Sequence, residues 1–222
     1  MNCYNCGMPL TKDKKTREHI PQQYLFNGFP NEYKTNRITV PSCFDCNNGM
    51  SHIDDELRNF AAIFDDGTTN KEGLVKAFSS FTRKDANRIQ VYGDEVGVEF
   101  DKIDIYSLFE KNTKGIYYYE FDEVYPDYLD IKTVSESDEE SGMGYLFKYI
   151  YTHSIKLIEE WKISGHEDVF RFKIAKLVQK NGQLVIDNTD DKPIIVICAM
   201  QIWKTVFGCT IGIDKETLKP KV

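Results

Sequence analysis

Four of the six cysteines fall into two Cys-x-x-Cys pairs, Cys3/Cys6 and Cys43/Cys46, which bracket the 36 residues 7–42. Each pair can put two thiolates on one tight turn, and two such turns close a tetrahedral sulfur cage of the kind that structural zinc sites use. Two identical spacings are hard to obtain by accident, and the same four thiols scattered through the chain would carry no such meaning. A four-sulfur site leaves no open coordination position. It performs no chemistry and instead staples the ends of the loop, giving a small segment a rigidity that its own apolar residues could not supply. The first sixty residues are therefore a stapled platform, and the question is what the platform presents.

It presents Glu18-His19-Ile20-Pro21, then Asn36 just before the strand-like Ile38-Thr39-Val40, then Asn47 and Asn48 directly after the last paired cysteine. A histidine near its ordinary pKa is neutral at physiological pH and can accept a proton from water. Carboxylate and amide oxygens are hard donors that suit Mg²⁺ or Mn²⁺. Together they could supply what phosphodiester hydrolysis needs: an activated water and positive charge on the developing phosphorane. The plainer alternatives are a packing role for His19, turn chemistry for Asn36 and a simple turn at Asn48-Gly49.

The order Cys-x-x-Cys, Glu-His-Ile-Pro, Asn before a strand, Cys-x-x-Cys-Asn resembles the His-Asn-His (HNH) endonuclease family in its zinc-stapled, four-cysteine form. The resemblance covers about the first sixty residues. It implies a ββα-metal module, with structural Zn²⁺ on Cys3, Cys6, Cys43 and Cys46 and one catalytic Mg²⁺ or Mn²⁺. By position, His19 matches the general base and Glu18 the acidic metal ligand. Asn36 matches the residue that orients the imidazole, and Asn47 the second protein ligand to the metal. Two positions depart from the commoner pattern, Asn for His at 47 and Glu for Asp at 18, and both bear on metal affinity. His52 competes with Asn47 for the third role.

The formal net charge of −7 and pI near 5.2 do not suit a protein that grips nucleic acid by overall charge. The cations are nevertheless clustered: Lys12, Lys14, Lys15 and Arg17 directly precede Glu18-His19, and Lys34 and Arg37 flank Asn36. Such a patch could contact phosphates on either side of a scissile bond. No apolar run is long enough to span a bilayer, and the polar start reads as no cleavable leader. Thiols in metal-type pairs suit a reducing cytoplasm.

Ser51 reads as an N-cap for a helix over 52–64, whose apolar stripe is expected to pack onto the hairpin. Helices are expected over 71–83 and 101–111 and a short strand at 89–92. Gly115–Tyr119 reads as a strand or a helix end. Residues 135–144 form an acidic loop and a candidate internal break, followed by a mixed segment over 145–161. Strands are expected over 169–177, 183–186 and 194–203, the first two joined by a hairpin turn at Lys180-Asn181-Gly182. His153 and His166 read as structural or surface residues, and Cys198 and Cys209 as small hydrophobes.

The sequence thus points to an α+β protein, with an HNH-type module over 1–66 and an α+β accessory region over 67–222. The expected activity is metal-dependent hydrolysis of nucleic acid, DNA first, in phage defence or restriction. A protein partner or second copy would bind through the C-terminal region. The competing reading is a zinc-stapled adaptor that binds nucleic acid or protein without catalysis. A purely structural zinc ribbon would leave Glu18-His19-Ile20-Pro21 unexplained.

Overall fold

The computed structural model describes residues 1–51, 53–84, 86–93, 95–134, 145, 155–158, 160–189 and 192–216. His52, His153, the break at 135–144 and most of the segment at 145–161 lie outside these residues.

The stapled segment forms an antiparallel hairpin of β1 (Lys15–Ile20) and β2 (Ile38–Cys43). Between the strands the chain winds through two 3-10 turns, Gln23–Phe26 and Asn31–Lys34. A five-residue helix α1 (Phe44–Asn48) follows β2 and packs on the hairpin. Ser51 does not cap the next helix. The chain keeps turning, with Ser51 N–H donating to Asn48 O and Ile53 N–H to Met50 O, and α2 starts at Asp54 (Asp54–Asp65). The stripe of α2 packs chiefly on α3 (Lys71–Lys84), on the Gln23–Phe26 turn and on the later helix α4, rather than on the hairpin. Ion pairs fasten this corner. Lys84 Nζ lies 3.1 Å from Asp55, and Arg88, on a 3-10 turn at Ala86–Arg88, grips Glu56 with two bonds of 3.0 and 2.9 Å.

The strand at 89–92 is β3 (Ile89–Tyr92), paired with an unforeseen β4 (Glu95–Val98). The helix expected over 101–111 runs on through the tyrosines as α4 (Lys102–Phe121), so Gly115–Tyr119 is helical. Asp101 caps it, accepting from the Ile103 and Asp104 amides at 2.8 and 3.4 Å. The helical period explains why the tyrosine run is not a strand: Ile116 and Tyr117 are buried, whereas Tyr119 is exposed.

The rest of the described chain is one six-stranded antiparallel sheet. It comprises β5 (Leu129–Val134), β6 (Lys162–Ile163), β7 (Phe170–Lys180), β8 (Gln183–Ile186), β9 (Ile195–Ile202) and β10 (Val206–Asp214). The order is β5-β10-β9-β7-β6, with β8 also on β7. β9, almost wholly apolar in sequence, is central, as a strand buried on both faces must be. The β7–β8 turn uses Asn181 and Gly182, both at positive φ (53° and 81°), the pair that a type I′ hairpin demands. Cys209 pairs with Ala199 and Thr210 with Cys198, which sends the two thiols to opposite faces of the sheet. Both are buried as small hydrophobes.

The fold is α+β. Its main core joins both parts of the chain: Tyr4, Ile20, Leu25 and Phe26 pack with Ile116, Tyr117, Phe170 and Trp203. Trp203 Nε1 donates to Leu25 O at 3.1 Å. Among the described residues, no helix is long and apolar enough to cross a membrane.

Candidate functional site

Two N–H···S bonds build the sulfur cluster. Cys43 N–H donates to Cys3 Sγ and Cys46 N–H to Cys43 Sγ, each at 3.4 Å, the second capping α1. The first turn is tied to β2 through Tyr4 N–H and Pro41 O at 2.9 Å. All four Sγ atoms lie within 4.8 Å of one another, with Cys6 and Cys43 at 3.9 Å. A tetrahedral Zn–S cage needs sulfurs roughly 3.8 Å apart, so this set could hold a metal ion with small adjustment. The electrostatics agree. Burial pushes the Cys3 thiol up, but amide hydrogen bonds from its neighbours pull it down to about 7. Burial, then the surrounding sulfurs, push Cys46 up, and burial also raises Cys6. Four sulfurs this close together, two of them buried, resist carrying several thiolates unless a cation neutralises them.

The hairpin register then sorts the candidate residues. In β1, Thr16, Glu18 and Ile20 lie opposite Ser42, Val40 and Ile38, on the inner face towards α4. Lys15, Arg17 and His19 lie on the other face, where His19 opposes Thr39 and Arg17 opposes Pro41. Strand residues alternate, so Glu18 and His19 are adjacent in sequence and back to back in space.

Glu18 is buried and fully engaged. Tyr4 Oη donates to its Oε2 at 2.8 Å, and Lys111 Nζ, from α4, lies 2.5 Å from its Oε1. Burial raises the Glu18 carboxyl, opposed by Lys111 and Tyr4. Lys111 also lies 3.9 Å from Asp54. With both oxygens taken and its side chain turned from His19, Glu18 does not fit as a ligand for Mg²⁺ or Mn²⁺ next to that histidine.

His19 is half-buried on the outer face. Its Nε2 lies 3.5 Å from Arg37 Nη2, so Arg37, a group that only donates, leaves Nε2 as the unprotonated nitrogen. Burial, then the guanidinium, hold the His19 pKa below its ordinary value. Arg37 is fixed by Nε–H donation to Lys34 O at 3.0 Å and by packing over the Phe26 ring at 5.3 Å. His19 Nδ1 and Arg37 Nη1 are buried and bonded to no protein group. Lys12, Lys14, Lys15 and Arg17 are exposed along the same strand and the turn before it, and Lys34 Nζ reaches Asn31 at 3.2 Å.

Arg37, not Asn36, is the residue that reaches the imidazole. Asn36 is exposed, sits at φ 55° and acts through its backbone, its carbonyl accepting from Gly165 N–H at 3.4 Å. Asn47 follows Cys46 on α1 and is bonded to neither Glu18 nor His19. Sequence reasoning missed Tyr4, Lys111 and Ser164. Ser164 Oγ accepts from Ile38 N–H at 2.9 Å and donates to Ile20 O, pinning the hairpin end beside His19. Lys111 did leave a signal, a charge on the stripe of Leu108 and Gly115 that the helix buries.

No family model, curated protein or solved structure matches the chain.

Proposed function

We propose that this chain is an HNH-type endonuclease that hydrolyses phosphodiester bonds in nucleic acid, with DNA as the expected substrate. The observation that carries the reading is the His19–Arg37 pair on the basic outer face of the sulfur-stapled hairpin. His19, held neutral, takes the proton of the attacking water at Nε2 once the Arg37 guanidinium has turned from that nitrogen to the phosphate. Arg37 binds a phosphate oxygen and offsets the charge that develops on it. Lys12, Lys14, Lys15, Arg17 and Lys34 hold the flanking phosphates without reading sequence. Zn²⁺ on Cys3, Cys6, Cys43 and Cys46 keeps β1 and β2 in register and takes no part in the reaction. Thiols reserved for a metal fit a reducing cytoplasm, and the acidic remainder of the chain fits contact with a protein partner or a second copy in phage defence or restriction. Glu18, with both oxygens engaged by Tyr4 and Lys111, does not supply a site for Mg²⁺ or Mn²⁺.

That commitment favours one second reading, a zinc-stapled module that binds nucleic acid without cutting it. Cleavage of plasmid and single-stranded DNA by wild type and His19→Ala, with Mg²⁺, Mn²⁺ or EDTA, separates the two. Nicking by wild type and none by the variant supports the nuclease. DNA binding by both proteins with no cleavage supports the binding module.

A further inference from the structure

The carboxylate that the family resemblance assigns to a divalent cation already has a cation against it. Lys111 Nζ sits between Glu18 Oε1 at 2.5 Å and Asp54 Oδ1 at 3.9 Å, and the three side chains are only 2, 7 and 14% exposed. Tyr4 Oη occupies the other Glu18 oxygen. A Mg²⁺ ion would need carboxylate oxygen at about 2.1 Å, in the volume that the ammonium fills, so the two cations exclude each other there.

The lysine is held in place by the architecture. α4 is capped at Asp101 and runs for 20 residues. One turn beyond Lys111, Gly115 lies so close to β1 that a Cβ there would stand 2.5 Å from the Ile20 side chain. Helix and strand therefore meet at a fixed separation, with Lys111 directed at Glu18 and the next inward residue of β1, Ile20, packed beneath Gly115. His19, between these two anchors, is forced to the outer face.

We infer that Lys111 is an internal cation standing where a metal is expected: Glu18 anchors the strand instead of ligating a metal, and Lys111 is a positioning residue for His19. The Glu18–Lys111 assignment stands on its own geometry; only the consequence for His19 rests on the nuclease proposal.

The test is Mn²⁺ titration of the full zinc-loaded chain, read by electron paramagnetic resonance. Wild type, Glu18→Gln, Lys111→Arg, Lys111→Met and the double variant Glu18→Gln/Lys111→Met are compared. Wild type and Glu18→Gln are expected to bind Mn²⁺ alike. Lys111→Met opens the position and gains Mn²⁺ affinity of at least roughly tenfold, a gain lost in the double variant and absent in Lys111→Arg, which keeps the charge. A purely structural lysine would create no such Glu18-dependent site. Weaker Mn²⁺ binding in Glu18→Gln overturns the inference, because Glu18 would then be a ligand with Lys111 in place. So does a folded Lys111→Met that gains nothing. Should Lys111→Met not fold, Glu18→Gln decides alone. Wild-type and His19→Ala cleavage are measured in parallel, so a missing nuclease activity is seen separately from the Mn²⁺ result.

Discussion

Replacing Lys111 with methionine removes one member of a buried ion pair and leaves the volume nearly unchanged. Glu18 and Lys111 are both almost inaccessible to solvent, so the carboxylate left behind cannot be rescued by water and keeps only the Tyr4 hydroxyl. Breaking a buried pair from one side costs about 3–5 kcal/mol. A chain of this size loses roughly 2–4 °C of Tm per kcal/mol, which gives a fall of roughly 6–20 °C. Substituting Glu18→Gln as well removes the uncompensated charge, and the double variant is expected to recover about 1–3 kcal/mol relative to the sum of the single losses. Urea denaturation of the four proteins in a double-mutant cycle measures this, with the midpoint moving at constant m. A Lys111→Met variant within about 0.5 kcal/mol of wild type, or single losses that simply add, would refute the reasoning. In that case α4 would not be fastened to the hairpin through this pair.

His19→Ala should retain its metal content and melting behaviour while cleavage falls by roughly 10²–10⁴-fold, the span of a lost general base; metal analysis beside the cleavage rate checks both. Arg37→Gln removes a charge that helps hold the His19 pKa below its ordinary value. The imidazole then protonates at higher pH, and since the base works neutral, the acid limb of the pH–rate profile for kcat/KM should move to higher pH. A shift the other way would mean that Arg37 does not act on His19. Cys43→Ser leaves three thiolates and removes the sulfur that accepts from the Cys46 amide; metal loss with unfolding of the hairpin is expected by metal analysis and circular dichroism. Neutralising Lys12 and Lys14 should weaken DNA binding across all sequences and reduce the slope of log affinity against log salt by about one for each phosphate that is no longer neutralised.

The local pattern carried a good deal of this protein. Paired cysteines on knuckle turns, the alternation at the start of β7, the apolar run of β9, the Asn181-Gly182 turn and the amphipathic period of α2 and α3 are short-range features, each set by chain geometry within a few residues. The errors lay where local propensity was outweighed. Gly115–Tyr119 read as a strand or a helix end, and the buried stripe of α4 settled it as helix by claiming Ile116 and Tyr117; Ser51 looked like a cap until the turns after α1 carried the chain past it.

The local pattern already carried the four-sulfur cluster, the strand after Asn36 and the basic stretch leading to His19, because ligand spacing and strand propensity need no distant partner. How Glu18 and His19 divide between the two faces was set by long-range packing. The strand period places adjacent residues on opposite faces, but which face meets α4, and that a lysine waits there, depends on packing between segments far apart in the chain. The hairpin register and the Phe26 ring bring Arg37 to the imidazole, and a contact from far along the chain brings Ser164 to the hairpin end. The carboxylate and the histidine, neighbours in sequence, therefore part into a buried ion pair with Lys111 and a contact with Arg37 on the outer face.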